Sequence, residues 1–199
     1  MTKYNIVALF GKSGTGKDTL LRRILQRGCY GYDRNFHKKI SCTSRAPRGY
    51  EMDGVDYNFI SPFEFIEHGD QFIEKENFNG WWYGTRLSDL KPAPAINVGV
   101  FNISGIQQIL AKAKTHDDNI AINLLPIKIV ASDADRLVHQ LRREHNPNIK
   151  EIFRRYEADE RDFAEIPFPH NVVYNSEGRI NEAIFSIADL IKAYKRNFI

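Results

Sequence analysis

The stretch that most restricts what this chain can fold into is Gly11-Lys12-Ser13-Gly14-Thr15-Gly16-Lys17-Asp18-Thr19. It follows an apolar run, Ile6-Val7-Ala8-Leu9-Phe10. It precedes a pattern in which Leu20, Leu21, Ile24 and Leu25 share one helical face. A buried strand, a glycine-rich turn and an amphipathic helix are together the context of a phosphate-binding P-loop. Several backbone N–H groups converge there at a helix N-terminus, where unpaired donors and the macrodipole favour an anion. Glycines let the backbone wrap a phosphate without Cβ clashes, and Lys17 adds a point charge for the β/γ-phosphates. Gly11, Ser13, Gly14, Thr15, Gly16, Lys17, Asp18 and Thr19 are the candidate contacts to a nucleoside triphosphate. One position departs from the motif. Ser or Thr should follow the lysine to ligate Mg²⁺, but Asp18 stands there, with Thr19 one place late. A carboxylate is also a hard oxygen ligand and can hold Mg²⁺ directly or through water, although its charge then sits near the phosphates. Asp18 is therefore the candidate metal residue, and Mg²⁺ the expected cofactor.

At 199 residues the chain is one domain, or one domain with sub-lobes, and long enough to bury a real core. Net charge is +3, from 28 basic and 25 acidic residues, which gives no sign of a polyanion-binding tail. The basic residues cluster around 45–48, 142–143 and 154–155. That suits a small phosphorylated ligand better than a nucleic-acid groove. The two cysteines, Cys29 and Cys42, form neither a disulfide framework nor a CxxC metal spacing, and read as buried or half-buried thiols. The start of the chain shows no signal-peptide pattern, and no run of ~18 apolar residues could span a membrane. The expectation is a cytoplasmic protein with neither nucleic acid nor membrane as partner.

Along the chain, Gly28 is placed to cap the first helix, and a loop over 30–38 leads into a strand at Lys39–Thr43. From Thr43 to Thr85 short apolar or aromatic pieces alternate with Gly, Pro, Asp and Asn, as in small antiparallel strands joined by turns. A short helix is expected within Pro62–His68. Ile96–Phe101 reads as a central parallel strand, followed by a helix with Ile106, Ile109, Leu110 and Ala113 on one face. Thr115–Asn119 reads as a polar loop. Pro126 is taken to break the next apolar stretch, leaving Ile127–Ala131 as strand. Ser132 or Asp133 can cap a helix carrying Leu137, Val138 and Leu141. His145–Asn148 is a break and Lys150–Phe163 a charged helix. Asn171–Tyr174 is a last strand, and 178–195 a closing helix. Of Trp81 and Trp82, one is expected in the core and one at the surface. The pattern implies an α/β fold, a P-loop parallel sheet flanked by helices.

The pieces Ser41-Cys42-Thr43-Ser44-Arg45-Ala46-Pro47-Arg48, Asp53–Phe59, Phe72-Ile73-Glu74 and Trp82-Tyr83-Gly84-Thr85 follow the loop in order. With it they closely resemble the guanylate kinase family over nearly the whole chain. The resemblance implies a core of about 1–40, 95–131 and 165–199. It adds a small inserted nucleotide-monophosphate-binding lobe at about 41–90 and a helical lid at about 132–164. Guanidinium forks bind phosphate oxygens bidentately and phenols donate to the remainder, so Arg45, Arg48, Tyr57 and Tyr83 suit a phosphate monoester; the resemblance assigns them to GMP. A carboxylate at Glu74 can accept from the N1–H and exocyclic amine of guanine, which adenine cannot offer in that arrangement. By resemblance, Ser41 and Thr85 supply hydroxyls for the O6 edge, and Asn175 stands on the adenine side.

The family usually carries two aspartates on the central strand before a Gln-Gly step. Here Val100 and Asn102 stand at those positions. Asn102 can still hydrogen-bond a base but brings no charge. With Asp18 in the loop, this reads as a carboxylate lost on one side of the metal site and gained on another. The implied reaction is ATP-dependent, in-line phosphorylation of GMP or dGMP, which needs positive charge around a loose transition state and no general base. Lys17, Arg45, Arg143 and Arg155 are the candidate catalytic residues. Arg142 and Arg154 are neighbouring candidates, while other lid arginines of the family fall on Gln140 and Glu144. ATP and GMP or dGMP are the expected partners, the chain acting as monomer or homodimer. The alternatives are a kinase of a modified nucleoside monophosphate or a ribose bisphosphate, and a non-catalytic guanylate kinase-like binding module.

Overall fold

An apolar run without alternation is what a strand buried on both faces looks like. Ile6–Phe10 are all buried, at the end of β1 (Thr2–Phe10). The computed structural model describes residues 1–27, 35–49, 51–114, 119–143 and 146–196. After β1 come α1 (Lys17–Arg27), β2 (Phe36–Lys38), β3 (Ser41–Thr43), β4 (Tyr57–Phe59), α2 (Pro62–Glu67), β5 (Phe72–Phe78) and β6 (Trp81–Arg86). They are followed by β7 (Ile96–Val100), α3 (Ile103–Lys114), β8 (Ile120–Val130), α4 (Asp133–Arg143), α5 (Ile149–Asp162), β9 (Asn171–Tyr174) and α6 (Ile180–Arg196).

The main sheet has the order β2-β7-β1-β8-β9, and every pair in it is parallel. Successive side chains of β1 point to opposite faces, and the core divides accordingly. Val7 and Leu9 pack with Leu20 and Ile24 of α1 and with Ile184, Ile187 and Ile191 of α6. Ile6, Ala8 and Phe10 pack on the other face with Ile106 and Ile109 of α3 and with Phe168. Helices therefore cover both faces, as the alternation of strands and helices requires.

A second sheet, ordered β4-β3-β6-β5, joins β3 to β4 in parallel and β6 to β3 and β5 antiparallel. Its small core is Cys42, Phe65 and Phe72, backed by Ile60 and Trp82, while Trp81 is exposed. The helix α2 is fixed by a capping box between Ser61 and Glu64, with Pro62 in its first turn. Burial, and then Asp89, push the Cys42 thiol up to about 12, so it packs as an unreactive small hydrophobe.

Three expectations are corrected. The strand drawn at Ile127–Ala131 runs instead from Ile120 to Val130 through Pro126, which stands opposite Ala8. Val130 accepts from Asn175 N–H on the β9 side, so Pro126, an even number of residues away, turns its missing donor to that same flank. Pairing with β9 begins only at Ile127, and no ladder bond is lost. The segment 30–38 is not all loop, because Phe36–Lys38 joins the main sheet beside β7. The strand expected at Lys39–Thr43 begins only at Ser41. Elsewhere Ser132 caps α4, its Oγ accepting from Asp135 N–H at 3.1 Å, and Asn148 caps α5. Gly28, Cys29 and most of Thr115–Asn119 lie outside the described residues.

Phe10 is fully buried and contacts the rings of Phe163, Phe168 and His170 at centroid separations of 6.4, 5.5 and 5.5 Å. Phe10→Ala is expected to cost about 3–5 kcal/mol of stability. In denaturant this reads as a lower midpoint at an unchanged slope.

Candidate active site

β1 delivers the chain to the loop at the carboxyl edge of the sheet, and α1 starts at Lys17. Gly11 has φ +148°, and a Cβ there would collide with the Ile129 carbonyl oxygen. Gly14 has φ +81°, and its Cβ would lie 2.6 Å from the Arg136 carbonyl oxygen. Lys17 Nζ donates to the carbonyls of Gly11 and Lys12 at 2.7 and 2.9 Å, so the ammonium lies back across its own loop. Asn175 Nδ2 donates to Thr15 O at 2.9 Å. His139 meets Gly14 O with Nδ1 at 2.8 Å and Glu177 with Nε2 at 2.7 Å.

The strongest tie to the loop is one the sequence reading missed. Arg136, on α4 and 1% exposed, donates Nε to Ser13 O at 3.0 Å. Its Nη1 reaches Asp133 and its Nη2 reaches Asp159, each at 2.6 Å. The guanidinium lies 4.2 Å from the Tyr156 ring centroid. Asp159 in turn accepts the Ser13 backbone N–H at 2.8 Å. A carboxylate from α5 thus occupies an amide of the phosphate loop. In the sequence, Arg136 looks like one more charge on a polar helix; its burial rests on distant partners, Ser13 O and Asp159, the latter 23 residues on.

A cavity of about 950 Å³ opens from the loop. Gly14, Gly16, Lys17, Asp18, Thr19 and Asn175 line one side, and Arg48 and Tyr83 the other, with Gln140, Arg154 and Arg155 from the helices. Arg154 and Arg155 share Glu151, with donor distances of 2.7 to 2.9 Å. The Arg154 and then the Arg155 hydrogen bonds hold the Glu151 carboxyl down to about 2. Gln140 is 6% exposed, and neither its amide nitrogen nor its oxygen has a partner among the described residues. The side chain of Arg143 lies outside the described residues.

The acceptor residues fall into two groups. Arg45 does not line the cavity. Its two terminal nitrogens grip the Glu51 carboxylate, each at 3.0 Å, its Nε is buried without a partner among the described residues, and its Cζ stands 5.5 Å from the Tyr57 ring centroid. The Arg45 fork and the Arg48 amide hold the Glu51 carboxyl below the usual range. Tyr57 and Tyr83 meet edge to face with centroids 6.2 Å apart, and burial, then Tyr83, raises the Tyr57 phenol, keeping it a donor. Deeper in, Glu74 is 8% exposed and accepts from Thr85 Oγ1 at 2.5 Å. Ser41 Oγ accepts from Lys39 Nζ at 2.7 Å. Burial lowers the Lys39 pKa, while Glu74 and then Cys42 oppose that shift. Asn102 bonds Glu76 through its Nδ2, and its Oδ1 accepts Gly105 N–H at 2.7 Å, which caps α3.

A parallel sheet ending in this loop, with a basic and aromatic lobe across one cavity, defines a P-loop protein built to hold phosphorylated ligands. The family model described as guanylate kinase matches residues 3–194. A guanylate kinase of Schizosaccharomyces pombe is 31% identical over 196 residues, covering 98% of this chain and 88% of that protein. One from Porphyromonas gingivalis is 32% identical over 176 residues, covering 85% of each. The crystal structure of guanylate kinase from Anaplasma phagocytophilum superposes with a TM-score of 0.62 at 17% identity, covering 96% of this chain and 86% of that one. The chain belongs to the guanylate kinase family. Among the described residues no helix is long and apolar enough to cross a membrane.

Glu151 generates a test. Its folded pKa of about 2 lies below its ordinary 4.5, so its contribution to stability is present above pH 4.5 and is lost as pH falls towards 2. Wild type and Glu151→Gln are expected to differ in chemical-denaturation stability at neutral pH and to converge near pH 2. A gap that persists unchanged at acid pH would mean the ion pair contributes nothing.

Proposed function

We propose that this chain transfers the terminal phosphoryl group of ATP to GMP or dGMP, in line and without a general base. The observation that carries the reading is the single cavity that joins Gly14, Gly16 and Lys17 to Arg48 and Tyr83. Two phosphorylated molecules can lie in it end to end. Loop amides and Lys17 hold the donor phosphates, Asn175 lies towards the donor base, and Arg155, with Arg143 from the lid, offsets charge on the transferring group. On the acceptor side Arg45, Arg48, Tyr57 and Tyr83 bind the monophosphate, with Glu51 leaving the Arg45 fork as phosphate arrives. Glu74 and Ser41 bind the base, with Thr85 donating to Glu74 and Asn102 beside them. We assign the α4–α5 region of about 132–164 as the lid, the second-sheet region of about 41–90 as the acceptor lobe, and the rest as core.

The donor set fits Mg²⁺ held chiefly by substrate phosphates. Asp18 lines the cavity in the first turn of α1, and the described residues contain no group of three metal-binding side chains. Such a metal takes one or two protein carboxylates and keeps phosphate and water for the rest. When bound, it neutralises charge on the β- and γ-phosphates. The charged and polar side chains that line the cavity suit small phosphorylated partners, and the chain is taken to act in the cytoplasm, as monomer or homodimer.

A coupled ADP-release assay over GMP, dGMP, AMP, UMP, dTMP and ribose 1,5-bisphosphate tests the acceptor. GMP or dGMP is expected to lead, and ADP release with none of them would sink the reading. Glu74→Gln should lower kcat/KM for GMP about 10- to 100-fold while leaving the KM for ATP within about twofold. Asp18→Ser should shift the Mg²⁺ concentration needed for half-maximal rate. If metal dependence and affinity are unchanged in that variant, Asp18 is not a ligand.

A further inference from the structure

Among the described residues Lys39 is the one buried lysine, 7% exposed. Nothing in its sequence neighbourhood, between β2 and β3, marks it as functional. Its stem crosses Gly99 on β7, where an added Cβ would lie 2.8 Å from Lys39 Cε and 2.9 Å from Lys39 Cβ. The space for this side chain exists because residue 99 has none. Its Nζ rests 4.1 Å from the Phe101 ring centroid and donates to Ser41 Oγ at 2.7 Å.

Counting hydrogens around the two hydroxyls gives a definite polarity. An ammonium has three donors and no acceptor, so Ser41 Oγ accepts from Lys39 and keeps its own hydrogen for another partner. The cation also polarises that O–H, strengthening it as a donor, and repels any further donor hydrogen brought to the same oxygen. Glu74 Oε1 accepts the Thr85 hydroxyl hydrogen at 2.5 Å, so that hydrogen is already spent. Glu74 Oε2 stands near Gly105, within 3.1 Å of where a Cβ there would be. Ser41 thus has one O–H donor to offer a bound base, and Glu74 one carboxylate acceptor. Guanine presents the matching set, an O6 acceptor beside N1–H and 2-amino donors. At the same two places adenine offers an amino donor and a ring-nitrogen acceptor.

We propose that Lys39 is a positioning residue for acceptor selectivity: by donating to Ser41 Oγ it fixes that hydroxyl as a donor, so that the pocket takes a 6-oxopurine monophosphate and refuses a 6-aminopurine. This rests on the acceptor reading above and adds to it a group that acts on the base through Ser41.

Lys39→Met keeps the length of the stem and removes the charge. Calorimetry is expected to show GMP binding weakened about tenfold, and the GMP-to-AMP ratio of kcat/KM should fall about tenfold, while the KM for ATP stays within about twofold. In a Ser41→Ala background the same substitution should move that ratio by less than about twofold, because the group it acts through is already gone. Gly99→Ala pushes the stem aside with the charge retained and should lower the ratio in the same direction; it carries the test if Lys39→Met does not fold. A lower melting temperature with an unchanged GMP-to-AMP ratio in these variants would overturn the proposal. So would an equal effect of Lys39→Met with and without Ser41. Wild-type protein that uses no 6-oxopurine nucleotide would instead overturn the acceptor reading itself, before any variant is made.

Discussion

Everything at the site hangs from one constraint. β1 ends, buried on both faces, in the middle of a parallel sheet, and the chain must leave it at the carboxyl edge without a side chain in the way. Gly11 meets that need against Ile129 on the neighbouring strand. The turn then feeds directly into α1, whose first amides point back at the place the strand has just left. Neither the strand nor the helix makes a phosphate site alone. Their separation by one tight loop concentrates unpaired donors and the helix dipole at one spot.

Around that spot the basic side chains are already in the company of carboxylates. Arg45 holds Glu51, Arg154 and Arg155 hold Glu151, Arg142 and His139 hold Glu177, and Lys12 holds Glu160. Most of these pairs are partly or fully exposed, and such pairs contribute little to stability. Pairs this weak can be exchanged for another partner at little cost. Arg136 with Asp159 belongs to a different class. It is buried and hydrogen-bonded on several sides, and losing one member would strand a charge away from water. The first set is exchangeable and the second is structural.

Much of this could be read from the residues before the fold was in hand. The unbroken run at Ile6–Phe10, the glycines, and the helical spacing of Ile180, Ile184, Ile187 and Ile191 are signals set by local backbone geometry and burial. The family was legible because the spacing of the pieces between Ser41 and Thr85 resembles it. What escaped depends on partners distant in sequence. Pro126 sits inside a strand because β9 happens to start one residue later. Phe36–Lys38 is too short to show a period. Arg136, Lys39 and Gln140 look like ordinary polar residues, and only Asp159, Gly99 and the cavity wall give them an environment. The Arg45 fork holds Glu51 here, and no feature of the sequence names Glu51 as its occupant.

The glycines of the loop carry a further consequence. Gly11 and Gly14 are hemmed in from outside, by backbone oxygens of Ile129 and Arg136, rather than by the ligand the loop would hold. Scaffold packing therefore forbids a side chain at either place even if no nucleotide ever enters. A descendant that had lost its chemistry would still be obliged to retain them, so among relatives of this chain that part of the signature records architecture and is poor testimony of turnover.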